Sequence, residues 1–202
     1  GREVFAFAMA VQNLMWGATQ PFASAIAEKW GAGRVVAFGG ILYGAGLVMM
    51  AYATDPLTLN LTAGVMIGMA QAGGGLAVVL GAVARALPAN RRTFGLGVVT
   101  AAGATGQFTV VPGAQALMTA GIDWLPALLI LATSAVVIVA CGIPLAGKPN
   151  MQSAAENAVR RDLGLTAALR EASGHRGYWL LTLGFFVCGF HLAFISIHLP
   201  AY

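Results

Sequence analysis

Six stretches of this chain, residues 4–27, 35–54, 56–84, 93–122, 124–147 and 177–202, hold no Lys, Arg, Asp or Glu. About 20 residues of α-helix cross the hydrocarbon core of a bilayer, so each stretch is long enough to span it. Buried helices of a soluble domain do not repeat this pattern six times in succession. The expected fold is therefore an all-α membrane protein with six transmembrane helices. The intervals are short except for residues 148–176, a polar segment carrying Lys148, Arg160, Arg161, Arg170 and Arg176. Apolar residues at Val159, Leu163, 166–169 and Ala172 give it a weak helical pattern. It is expected to be a cytoplasmic linker with a helix on the membrane surface.

The polar positions inside the apolar runs distinguish them from one another. In the first run Gln12, Trp16 and Gln20 stand four apart on one helix face, and Asn13, Gly17, Gln20 and Ser24 form the neighbouring stripe. Polar side chains are costly in lipid, so this face either looks into a water-filled cavity or staples helices together by hydrogen bonds. The third run places Asn60, Gly64, Gly68, Gln71 and Gly75 along one stripe. Its Gly73-Gly74-Gly75 marks a close approach or a bend, since such a run is costly in an ordinary helix. It is not a phosphate loop, because the Lys-Ser/Thr ending is missing. In the fourth run Gly103, Gly106 and Gly113 make a small-residue face. Thr100 and Gln107 make another, and Pro112 is expected to kink the helix by removing a backbone hydrogen bond.

The second and fifth runs are almost wholly apolar and read as peripheral, lipid-facing helices, with Gly40 and Gly44 in the second spaced for close packing. The last run carries His191 and His198, seven apart on one face. A histidine there either bonds a nearby carbonyl, or serves as a donor to an anionic substrate and carrier of a coupling proton.

Composition agrees with this pattern. The chain of 202 residues is 58% hydrophobic and 9% charged, with a mean hydropathy of +0.79, whereas soluble proteins carry about 25% charged residues. The net charge of +4 does not point to nucleic acid, because of where the charges sit. The junctions hold Lys29 and Arg34, then Asp55, then Arg85, Arg91 and Arg92, then Asp123, then the basic linker. Basic and acidic junctions alternate, as they must if the helices zigzag and cytoplasmic loops collect Lys and Arg. Residue 1 and Tyr202 are then expected outside a plasma (inner) membrane, with residues 148–176 inside. Cys141 and Cys188 lie in apolar runs and are expected to be inert thiols. The chain opens on Gly1 and stops at the end of a helix, so further helices are expected on both sides.

The turn that joins the first two runs holds Ser24, Glu28, Lys29, Gly31 and Arg34. Its order of small residue, acid, base, glycine and base resembles the signature loop between the second and third helices of major facilitator superfamily transporters. Ser24 stands where that loop usually has Gly, Glu28 where it has Asp, and Arg34 alone where it has a basic pair. Further features extend the resemblance to the monocarboxylate and oxalate–formate branch. They are Gln20-Pro21, the run Arg91-Arg92…Gly95…Gly103…Gly106, the basic linker, and Phe185-Phe186-Val187-Cys188-Gly189-Phe190-His191.

The resemblance implies that the six runs are helices two to seven of twelve. Residues 1–147 would then be most of an N-terminal lobe, 148–176 the linker between lobes, and 177–202 the first helix of a C-terminal lobe. It implies alternating access around a central anion site, latched by an ion pair between the loop acid and a base ending the fourth helix, here Glu28 and Arg85. Carboxylate carriers of this kind place an Arg or Lys inside the second lobe, and the runs read here contain none.

The expected function is secondary active transport of small organic anions, monocarboxylates foremost, by proton symport or anion exchange. Gln20, Gln71, Gln107 and His191, with Asn13 and His198, are expected along the substrate path. Ser24, Glu28, Lys29, Gly31, Arg34 and Arg85 are expected to gate. Gly103, Gly106, Pro112 and Gly113 are expected to serve packing and bending. The expected partners are the organic anion, a proton or counter-anion, and the lipid bilayer, with no nucleic acid, cofactor or metal. An enzyme is disfavoured, because the runs hold no carboxylate, no HExxH and no GxSxG. A receptor that binds without transporting is the alternative.

Overall fold

The computed structural model describes residues 2–145 and 165–198. Most of the linker and the last four residues lie outside that range. The chain forms two compact units, Gly1–Asn150 and Met151–Tyr202, each taken by itself below.

The first unit contains α1 (Arg2–Trp30), α2 (Ala32–Ala51), α3 (Pro56–Leu59), a π-helical segment (Asn60–Met66), α4 (Ile67–Gly74), α5 (Leu76–Ala86), α6 (Ala89–Thr119) and α7 (Trp124–Leu145). The elements from α3 to α5 follow one another as a single rod, Pro56–Ala86, of 31 residues. The second unit holds α8 (Leu165–Gly174) and α9 (Arg176–His198). No strand occurs among the described residues, and the protein is an all-α membrane protein. Among the described residues, four helices are both long and apolar enough to cross a bilayer: α2, the Pro56–Ala86 rod, α6 and α7 through Ile143. The remaining two expected spans correspond to α1, with 29 residues, and α9, with 23. Gln12, Asn13 and Gln20 lower the hydropathy of α1.

Chain reversals fall where backbone chemistry permits them. Gly31 adopts φ 97° between α1 and α2, and Gly121 adopts φ 81° between α6 and α7. Both values lie in the region that only glycine enters without strain. Gly33, by contrast, belongs to α2 and serves packing. Asp55 starts the third rod: the Thr58 backbone N–H donates to its Oδ2 at 3.0 Å and the Thr58 hydroxyl to its Oδ1 at 2.5 Å. Pro56 follows as the first helical residue, where its missing N–H costs nothing.

Packing within the first unit centres on α2, which corrects the expectation that this helix is peripheral. One side meets the third rod: a Cβ built on Gly39 would stand 2.7 Å from the Gly74 backbone nitrogen, and one on Gly46 2.9 Å from the Ile67 side chain. The other side meets α7, where a Cβ on Gly40 would lie 3.0 Å from Val139, one on Gly44 3.0 Å from Ala135, and one on Gly142 2.8 Å from the Gly33 carbonyl oxygen. The physical reason is that lipid tails are as apolar as Leu. Burial is therefore decided by how closely backbones can approach and not by hydropathy.

The cores mix alanines with larger aliphatic side chains. Ala8, Leu47, Ala51, Ala63, Ile67 and Leu128 cluster toward the Asp55 end, and Ala27, Ala32, Val36 and Val78 toward the Glu28 end. Helix α1 lies against the third rod, where a Cβ on Gly64 would meet Val11 at 2.9 Å and one on Gly68 the Gln12 carbonyl oxygen at 2.7 Å.

Helix α6 differs from all of these. It buries no residue, and Gly103, Gly106 and Gly113 face open space within this chain. Its second turn does touch the end of α5, through Gly95 against Val83 and the following Leu87. It also runs unbroken through Pro112. The helix break among the spans lies at Gly75 in the third rod, within the triple glycine expected to mark a close approach or a bend.

In the second unit the Trp179 indole N–H donates to the Ser173 carbonyl oxygen at 2.9 Å, tying the start of α9 to the end of α8. Phe190 and Phe194 stack on the outer surface of α9 with ring centroids 6.4 Å apart.

Candidate functional site

Gly75 has φ −73° and ψ 166°, an extended conformation that ends α4 and begins α5. The break lies eleven residues before Ala86, about 16 Å along the helix, which is about half the thickness of the hydrocarbon core. A helix end leaves carbonyls and N–H groups without intrahelical partners. At that depth such groups are tolerated only inside protein or beside a water-filled cavity.

Helix α1 meets part of this requirement. The Gln20 side-chain amide of α1 donates to the Ala72 carbonyl oxygen at 3.4 Å. In an unbroken helix that carbonyl would accept from the N–H four residues on, at Leu76. Trp16, one turn before Gln20, brings its indole nitrogen to 3.4 Å from where a Gly75 Cβ would sit. A side chain on Gly75 would also collide with the Gln71 carbonyl, so glycine is required for the break in this form. Gln71 and Gln20 are both half-buried. The first N–H groups of α5 carry the positive end of a helix dipole, the usual means of holding an anionic group inside a discontinuous membrane helix.

A second cluster occupies the end of the unit where α1 and α5 finish. Arg85 Nη1 stands 3.7 Å from Glu28 Oε1, with Glu28 the more exposed partner. The Arg85 guanidinium lies along Gly81, whose missing side chain leaves room for it. An exposed pair of this kind contributes about 0–1 kcal/mol. Lys29, Arg34, Arg91 and Arg92 sit at the same end, Ser24 is half-buried one turn before Glu28, and Gly31 forms the turn.

Asn13 and Gln107 stand outside both clusters, and His191 and His198 belong to the second unit. The Asn13 amide folds back onto its own helix, donating to the Met9 carbonyl oxygen at 2.9 Å. Gln107 is exposed on α6. His191, in the second unit, has Nδ1 2.9 Å from the Val187 carbonyl oxygen. A carbonyl can only accept, so this contact places the hydrogen on Nδ1 and leaves Nε2 of the neutral ring as an acceptor. His198 ends α9, and its side chain lies outside the described residues. The structure thus unites Gln20 with the α4–α5 break near Gln71, and Glu28 with Arg85. Sequence reasoning placed Trp16 on the right face without assigning it a role. Its spacing of four from Gln20 and the triple glycine were the available signals.

The family model described as Major Facilitator Superfamily matches residues 2–202. Human monocarboxylate transporter 11 is 32% identical over 199 residues, covering 94% of this chain and 40% of the relative. The mouse protein of the same name is 33% identical over 155 residues, covering 72% of this chain and 32% of the relative. The chain therefore spans less than half the length of the curated relatives it matches. No solved structure matches it.

Proposed function

This chain belongs to the Major Facilitator Superfamily, and on that premise we propose that it is part of a secondary active transporter of small organic anions, monocarboxylates foremost. The observation that carries this reading is the break at Gly75: a helix N-terminus near the middle of the membrane, beside Trp16, Gln20 and Gln71, suits a carboxylate. The printed name of the two relatives supports the same substrate class.

In this reading residues 1–147 form most of one lobe, residues 148–176 a cytoplasmic linker, and residues 177–202 the first helix of the other lobe. The Lys- and Arg-bearing end faces the cytoplasm of an inner or plasma membrane. Glu28 and Arg85 latch the cytoplasmic gate together with Ser24, Lys29, Gly31 and Arg34, and the pair opens as the lobes rock. Gln107, Asn13, His191 and His198 complete the path. Gly103, Gly106, Pro112 and Gly113 give α6 a close-packing and bending surface in the whole transporter. His191 Nε2 receives a proton when transport is proton-coupled, and counter-anion exchange is the other mode of coupling.

The test is uptake of a panel of labelled monocarboxylates by the full-length protein in proteoliposomes, with and without a pH gradient. Saturable uptake that accelerates with an inward proton gradient supports symport, and uptake that requires anion inside supports exchange. Saturable binding with no flux under either condition would identify a receptor on a transporter scaffold and reject the proposal.

A further inference from the structure

Between α2 and α7 a shallow groove of about 290 Å³ runs along the surface of the first unit, lined by Ile41, Gly44, Val48, Ala132, Val136 and Val139 among others. Its lining is wholly small and aliphatic, and neither Gln71 nor the break at Gly75 borders it. Ile41 and Val136 are more than half exposed on its rim. The glycines that form its floor, Gly40 and Gly44, are already spent on contact with α7, so the concavity is a permanent consequence of how the two helices meet. Toward the Glu28 end the two helices stay in contact, Gly142 against Gly33 and Ala37.

A cation stands beyond the groove's lining, at the Glu28 end of α2. Arg34, Ile41 and Val48 are spaced by seven residues on α2, so they fall on nearly one line along the helix, about 10 Å apart. Arg34 is exposed at the first turn of that line and makes no ion pair or hydrogen bond among the described residues. A cation at the interface above an apolar channel matches a molecule with an anionic head and a hydrocarbon tail. We propose that this groove is a binding site for one anionic phospholipid, with an acyl chain between α2 and α7 and the phosphate against Arg34. The proposal goes beyond transport and is independent of the substrate. Anionic lipid is abundant in the cytoplasmic leaflet, where the orientation proposed above places Arg34.

Native mass spectrometry of the full-length protein, titrated with phosphatidylglycerol or phosphatidylcholine, tests it. The expected result is a tightest-bound lipid that is phosphatidylglycerol. Arg34→Gln should weaken it about fivefold, the worth of one basic residue at an anionic surface, and Arg34→Lys should retain most of the affinity. Ala132→Phe, which fills the groove from α7, should reduce the number of tightly held lipids by one. The proposal is overturned if Arg34→Gln and Ala132→Phe both bind phosphatidylglycerol like the parent, or if phosphatidylcholine binds equally well. It is also overturned if Ala132→Phe abolishes a dimer while the lipid count stays unchanged, since that would assign the groove to a second copy.

Discussion

Two seams in the first unit use the same device for different ends. Where α2 meets α7, glycines at 33, 40, 44 and 142 bring two backbones together, and aliphatic side chains, Leu47 and Leu128 among them, help fill the space. Where α1 meets the third rod, Gly64 and Gly68 do likewise, but the seam continues into Trp16, Gln20 and the broken helix at Gly75. The first seam is the dry one, with no broken helix at its contact, and its outer edge opens as the groove lined by Ile41 and Val136. The second exchanges some of that closeness for unsatisfied backbone groups near the middle of the membrane. Close packing in lipid therefore says that two helices touch, and the polar atoms left at the contact indicate whether it is scaffold or site.

The largest effect that would sharpen the comparison lies in the dry seam. Gly142→Val places atoms where the Gly33 carbonyl and Ala37 already sit, and overpacking of this kind costs about 1–3 kcal/mol. Thermal unfolding in detergent should show the loss, while substrate affinity of the surviving folded protein stays at the parent value. In the polar seam the expected pattern is reversed. Gln20→Leu removes one hydrogen bond to Ala72, worth about 0.6 kcal/mol in a membrane protein, so stability should change little while uptake falls severalfold. If Gln20→Leu destabilises as much as Gly142→Val and transports normally, the distinction between the seams is lost.

The Glu28–Arg85 pair offers a smaller effect on stability. Glu28→Arg alone should impair uptake and expose the cytoplasmic side to cysteine-reactive probes, and adding Arg85→Glu should restore part of both, with stability changing by no more than about 1 kcal/mol. No recovery in the double variant would mean that the two charges act separately.

The smallest effect belongs to Asp55, which lies outside both seams. The hydroxyl of Thr58, followed by its backbone N–H, holds the Asp55 carboxyl below its ordinary value of 3.8. A lowered carboxylate contributes stability that is present above its unfolded value and is lost as pH falls through the folded one. Asp55→Asn should therefore flatten the pH dependence of melting only below about pH 4, and leave both seams untouched at neutral pH.

Much of the fold was legible in the pattern of charge. Whether a segment tolerates lipid is a sum over its own residues, so the six charge-free runs coincide with long helices to within a few residues. The alternation of Lys29 and Arg34, Asp55, Arg85, Asp123 follows from the same rule. The turn glycine Gly31 was also legible, because its backbone requirement is local. The Glu28–Arg85 contact was anticipated by resemblance and not by spacing.

What the residues alone left open is which apolar surfaces meet. Helix α2 reads as lipid-facing, yet it is the hub of its unit. The triple glycine reads as either a close approach or a bend, and it is both, with Gly73 against Val35 and Gly39 and the helix broken at Gly75. The face bearing Gln20 was compatible with a cavity or a staple, and its bond to Ala72 was invisible until α1 and α4 were seen side by side. The reason is physical. Transfer into lipid depends on each residue's own chemistry, but contact between equally apolar helices depends on shape, and shape exists only once the backbones are in place.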